Sequence, residues 1–283
     1  MPLPSPLVDA VLRRLGHWER PPATRAGLDA LYLAWCRGVP FDNVRKLIAL
    51  FSSSAGELPG MQPAEFFQAW LDHGVGATCW PTSNALAALL EACGFAVVRA
   101  TGSMLDLGPP NHGTPLVDLD GERLLVDPAM LTERPIPLAP GLYDDLLPVE
   151  VERDARGLRV WFPSGAHPEL MPCRLLEEGV DEARYAERYE ASRASGPFNG
   201  ALYFRRNLPD RVVVLRGARK HVLDVTGVNT WPLDAAELKK TLTRFGVSQE
   251  TLAAFEACGA LQATLESEPP PAREFPERPP SKR

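Results

Sequence analysis

The spacing of apolar residues changes period near residue 95, and that change limits what the chain can fold into. Before it, Leu28, Leu31, Tyr32 and Trp35 recur at three- and four-residue steps, as do Phe66, Phe67, Trp70 and Leu71. Stripes of this kind mark amphipathic helices. After it come short alternating runs at Phe95–Ala100, Gly157–Phe162, Arg211–Leu215 and His221–Val225, broken by proline-rich loops. The expected fold is α+β: a helical bundle over 1–95, an antiparallel β-barrel over 96–200, and an α/β lid over 201–265. In the lid two strands precede a helix that opens around Asp234. Residues 266–283, rich in proline and charge, read as a disordered tail.

The bundle should end in a helix that carries chemistry. Gly74-Val75-Gly76-Ala77-Thr78-Cys79 is permissive, and Ala85–Cys93 is a strong helix former closed by Gly94. Pro81 suits a first helical turn, where its missing donor costs nothing. Cys79 is therefore placed at a helix N-terminus, where unpaired N–H groups and the helix dipole favour a thiolate, the attacking form. Alone, such a cysteine is more often a small buried hydrophobe.

Two further residues alter that balance. His112–Leu119 and Glu122–Asp127 flank Asp120-Gly121, the signature of a hairpin with a two-residue turn. Pairing Leu119 with Glu122 sets Asp127 opposite Thr114 and diagonal to His112, on the same face, about 7 Å apart between backbones. Pro115 requires the first strand to be an edge or slightly broken there. Cys79, His112 and Asp127 thus supply a nucleophile, its base and the base's orienter. His73 is the alternative base but has only Asp72 as a potential orienter. His167 and His221 read as ordinary polar residues, and Cys93 reads as core.

Around these positions the chain resembles the arylamine N-acetyltransferases, which share the transglutaminase and papain-like Cys-His-Asp core. Val75-Gly76-Ala77-Thr78-Cys79 is similar to that family's Arg-Gly-Gly-x-Cys, Pro109–His112 to its proline-containing loop before the His, and Leu125–Pro128 to its strand end bearing the Asp. Val39–Asn43 resembles a Pro-Phe-Glu-Asn segment and Ser195–Asn199 a Ser-Pro-Phe segment, so the likeness runs over about residues 5–265. It implies an acyltransferase that moves an acyl group from a thioester, through a Cys79 acyl-enzyme, to an amine. Phe41 and Phe198 are expected in the acceptor pocket on the resemblance, and Trp80 by adjacency to Cys79. The donor would be acyl-CoA or an acyl chain on a carrier protein, with no bound cofactor. An amide synthase or cyclase, a cysteine hydrolase and an inactive binding protein remain alternatives.

The departures are specific. The family's Arg is Val75, its second Gly is Ala77, its Glu after the Cys is Pro81 and its Asn is Ser83. Joint loss of the Arg and Glu fits replacement of one buried polar network by apolar groups, since losing one member alone would strand a charge.

Composition excludes several classes. A net charge of -6 argues against a nucleic-acid platform. Five dispersed cysteines without CxxC spacing argue against a disulfide scaffold or a zinc site. No leader or membrane-length apolar run is evident, so the expectation is a cytoplasmic protein without membrane partners. Arg205-Arg206 and Arg216–Lys220 are basic clusters that suit CoA phosphates or, equally, a solvated face.

Overall fold

The structure is a computed structural model that describes residues 2–52, 56–144, 148–163 and 170–268. It opens with helices α1 (Ser5–Arg14) and α2 (Arg25–Gly38), a two-residue strand β1 (Phe41–Asp42), and helices α3 (Val44–Phe51), α4 (Pro63–His73) and α5 (Cys79–Ala92). The apolar stripe of α2 is buried throughout, and Trp35 stacks on Phe66 and meets Phe67 edge-on, each at 6.0 Å, joining α2 to α4. Every residue of α5 from Cys79 to Leu90 is buried. A helix apolar on all sides belongs at the centre of a core, and α5 contacts α4, β2, β3 and α6.

The next segment forms β2 (Ala96–Met104), β3 (His112–Leu119), β4 (Glu122–Leu125), β5 (Ile136–Pro137), β6 (Gly141–Tyr143), β7 (Val149–Asp154), β8 (Gly157–Pro163) and β9 (Leu170–Glu178), followed by α6 (Glu182–Ala191). The strand order is β5-β4-β3-β2-β9-β8-β7-β6, antiparallel at every pairing. One apolar cluster draws on all of these strands, from Ala100, Leu116, Leu125 and Ile136 to Val149, Val160, Cys173 and Tyr143. A sheet that encloses one interior with so many strands is rolled into a nearly closed barrel.

The hairpin register is the one the Asp-Gly turn predicts, with Leu119 opposite Glu122 and Leu116 opposite Leu125. Asp120 and Gly121 both take positive φ, as a type I′ turn requires. The expectation for Pro115 is corrected, because β3 lies between β2 and β4 and is not an edge. Val126 donates to the Pro115 carbonyl, so the missing proline N–H faces the same side, just beyond the end of β4.

The chain finishes with β10 (Tyr203–Leu208), β11 (Arg211–Arg216), β12 (Arg219–Asp224), β13 (Gly227–Pro232), α7 (Ala235–Arg244), α8 (Gln249–Ala257) and α9 (Ala260–Glu266). Where two strands were expected there are four, and β1 adds a fifth by pairing with β10. β10 escapes a sequence reading because its Arg-Arg-Asn centre breaks the alternation, and β13 because it is an exposed edge. One face of this sheet packs on α3, α7, α8 and α9 through Phe204, Leu215, Leu238, Leu252 and Leu261. Asp234 caps α7 by accepting from Glu237 N–H at 2.8 Å. Glu266 ends α9, while residues 269–283 of the expected tail, and His167, lie outside the described residues.

Gly113 marks where the barrel meets the central helix. A Cβ there would stand 2.6 Å from the Trp80 ring and 3.0 Å from that of Tyr185. Gly113→Ala should therefore lower unfolding stability by about 1–3 kcal/mol in urea titration. A change within about 0.5 kcal/mol would contradict this packing.

Candidate active site

Cys79 is the first residue of α5, and the helix has no side-chain cap. Its first internal bond runs from Thr82 N–H to the Thr78 carbonyl at 3.1 Å, which leaves the Cys79 and Trp80 N–H groups without an intrahelical acceptor. The loop before Cys79 is held from β1. Asp42 N–H donates to Ala77 at 3.2 Å, Gly76 N–H donates to Asp42 Oδ2 at 2.6 Å, and Val44 N–H donates to Asp42 Oδ1 at 3.0 Å. Gly76 is needed for this approach, since a Cβ there would lie 1.8 Å from the Pro40 carbonyl oxygen. Val75, standing where the resembled family has an arginine, is buried in the apolar cluster with Val44, Ala69 and Phe204.

His112 begins β3, and its Nε2 lies 2.7 Å from Asp127 Oδ2 with both side chains buried. That leaves Nδ1 for Cys79. Desolvation pushes the His112 imidazole down, but the Asp127 charge and hydrogen bond, reinforced by a hydrogen bond and charge from Cys79, carry it well above its ordinary value. Asp127 is desolvated in turn, yet His112 and two backbone donors hold its carboxyl below the ordinary value. Those donors are Ala129 N–H at 3.0 Å and Met130 N–H at 2.9 Å, both to Oδ1. The Asp127 carbonyl accepts from Tyr32 Oη at 2.7 Å and from Leu131 N–H at 3.0 Å.

The loop leading to His112 is fixed as firmly. The Asn111 side chain accepts from Met104 N–H at 2.7 Å and donates to the Met104 carbonyl at 3.2 Å, while the Cys79 thiol faces the Asn111 carbonyl at 3.9 Å. Nearby, Asp106 sits between Arg174, Arg156 and Arg159, which keep its carboxyl below the ordinary range. Ser83 on α5 donates to the Gly113 carbonyl at 2.6 Å, tying the helix of Cys79 to the strand of His112.

Cys79 and His112 open onto a cavity of about 1070 Å³ where bundle, barrel and C-terminal sheet meet. Phe41 and Phe198 line it, at 5.4 Å edge to face, and Tyr203 completes the aromatic group at 5.7 Å from Phe41. Asn43 holds the Phe198 segment, donating to the Phe198 and Ala201 carbonyls and accepting from Tyr203 N–H. Trp80 does not line this cavity. It turns into the core and packs on Gly113 and Tyr185, because the second residue of α5 points away from the first.

His73 does not line the cavity and pairs with Ser248 at 3.1 Å; Cys93 is buried, with its thiol pushed up by desolvation. Arg206 faces the helical side of its sheet, donating to the Phe245 carbonyl, whereas Arg205, Arg216 and Arg219 line the cavity. Tyr32, Asn43, Asn111 and Tyr203 are the residues that sequence reasoning missed. Tyr32 sat within an apolar stripe, where only its hydroxyl's need for a partner hinted at more. Among the described residues no cluster of metal-ligating groups occurs, and no helix is long and apolar enough to cross a membrane.

No protein-family profile and no curated protein sequence matches the chain. Solved structures do. The arylamine N-acetyltransferase of Mycobacterium smegmatis aligns at TM-score 0.80 and 22% identity, over 92% of this chain and 99% of its own. The Mycobacterium marinum enzyme in complex with CoA aligns at 0.77 and 18% identity, over 91% and 98%. The Salmonella typhimurium enzyme aligns at 0.75 and 18% identity, over 90% and 99%. The chain has the fold of these proteins along almost its whole length.

Asp42 gives this site a measurable signature. It is fully buried, makes no ion pair among the described residues, and desolvation pushes its carboxyl up to about 6 despite two backbone donors. The unfolded chain releases that proton first, so the contribution is fully present below about pH 4 and is lost as pH rises through the folded value. In denaturant titrations the stability of wild type minus that of Asp42→Asn should fall by roughly 2–3 kcal/mol between pH 4 and 7. A difference flat across that range would contradict the assignment.

Proposed function

We propose that this protein is an N-acyltransferase that carries an acyl group from acyl-CoA to a small amine through a thioester on Cys79. The observation that carries the reading is the placement of His112 between Asp127 and Cys79 on the wall of a large aromatic-lined cavity. The charge of Asp127 strengthens His112 as an acceptor of the thiol proton. The thiolate attacks the thioester carbonyl carbon, and the developing oxyanion faces the unpaired N–H groups at the start of α5. Collapse expels the CoA thiolate, which takes the proton from His112 and leaves as CoA. An amine then attacks the S-acyl carbon and gives its proton to His112. Cys79 leaves as a thiolate and recovers that proton, so the products are CoA and an amide.

Acyl-CoA is favoured as donor because a protein of this fold is known in complex with CoA. Phe41, Phe198 and Tyr203 present ring edges and faces to the cavity beside Cys79, a surface suited to a planar aromatic acceptor. The Val75 and Pro81 replacements lie outside the cavity lining and leave the proposed Cys-His-Asp chemistry unaltered.

Intact-protein mass spectrometry after exposure to acetyl-CoA should show one acetyl group in wild type and none in Cys79→Ala. Added arylamine should discharge the adduct as the N-acetyl product. Asp127→Asn should slow acetylation by about 10²- to 10⁴-fold while the fold is retained. An adduct that persists in Cys79→Ala, or wild-type protein that never forms one, contradicts the reading.

A further inference from the structure

The five-stranded sheet has two unlike faces. One packs on helices through Phe204 and Leu215, and the other lines the cavity. Phe41 stands directly opposite Arg205 across β1 and β10, so their side chains share a face, as does that of Tyr203 two residues earlier. All three line the cavity that holds Cys79 and His112. Ala77, two residues before Cys79, bridges Phe41 from its other side. The Arg205 backbone is therefore two strand spacings, about 10 Å, from the segment that enters Cys79.

Arg205 is 3% exposed, yet among the described residues its guanidinium makes no hydrogen bond or ion pair, and its buried Nε lacks an acceptor. Arg174, 2% exposed, shows the usual arrangement, with paired bonds of 2.8–2.9 Å to both Asp106 and Asp154. A buried guanidinium left without a counter-charge is costly, and arginine does not shed its proton to avoid the cost. The acids that line the cavity, Glu266 and Glu268, are exposed, whereas Arg216 and Arg219 add positive charge along the same sheet face.

We infer that Arg205 is a specificity-determining residue that receives a carboxylate on the acceptor amine, an inference that rests on the acyl-transfer reading above. The planar fork of arginine matches a carboxylate by paired hydrogen bonds. Phe41 stands between the Cys79 loop and Arg205, so an aromatic amine lying on the Phe41, Phe198 and Tyr203 rings directs its nitrogen to the acyl group and its far end to the guanidinium. A carboxylate on the transferred acyl group is the other source of the same chemistry.

The test compares wild type with Arg205→Met, using acetyl-CoA with para-aminobenzoate or para-toluidine, and succinyl-CoA or butyryl-CoA with para-toluidine. Arg205→Met should lose about 30-fold in kcat/KM for para-aminobenzoate while changing less than about threefold with para-toluidine. Arg205→Lys should restore part of the loss. Acetylation of Cys79 should be unchanged in Arg205→Met, and its Tm should be equal or higher, because an unpaired buried charge has been removed. Wild-type protein without a Cys79 adduct would count against the acyl-transfer reading. Calorimetric titration with the two amines then decides the carboxylate site independently, wild type being expected to bind para-aminobenzoate at least about tenfold more tightly than para-toluidine. Equal losses with both amines, a loss confined to succinyl-CoA, or equal affinities for the two amines would overturn the inference.

Discussion

A carboxylate with 1% exposure has to be compensated on both oxygens, and the site is organised around meeting that need at Asp127. One oxygen takes two backbone donors from the turn that follows, and the other takes His112. With the carboxylate immobile, the imidazole has one orientation available, and its remaining nitrogen is committed to Cys79. Tyr32 extends the constraint into α2 by donating to the Asp127 carbonyl. Bundle and barrel are thus joined at Asp127, as they are where Ser83 donates to the Gly113 carbonyl, which links the order of the core to the geometry of the proposed triad.

The segment Phe41–Asn43 does comparable work on the opposite side. Three consecutive side chains serve three purposes: Phe41 faces the cavity, Asp42 holds the Gly76 loop, and Asn43 holds the Phe198 segment. Alternation along a strand separates the first two, and pairing of β1 with β10 brings the C-terminal sheet against both. The cavity is therefore composite, and no part of the chain could form it alone. Val75, where the resembled family has an arginine, is buried in an apolar cluster, and Asp42 has backbone donors but no ion pair among the described residues.

Sequence alone was informative where local rules act. Asp120-Gly121 set the hairpin register, Gly94 closed α5, and the apolar stripe of α2 marked its buried face. It was silent where tertiary context decides. β1 is two residues long and is a strand only because β10 is beside it, and α6 buries just Tyr185 and Tyr189 in an otherwise charged run. Pro115 occupies an inner strand because β4 ends before reaching its missing donor. Trp80 shows the limit of adjacency, since one helical step turns it from the cavity into the core. The isolation of Arg205 required knowing which residues fold around it.

The central claim is that Asp127 makes His112 basic enough to hold the proton it takes from Cys79. Nitrogen-15 NMR of His112 across pH measures this directly. The account predicts that both ring nitrogens carry protons at about pH 7 and titrate well above the ordinary imidazole value, with the titration falling in Asp127→Asn. A wild-type His112 that titrates near about 6.5, unmoved by Asp127→Asn, would contradict it.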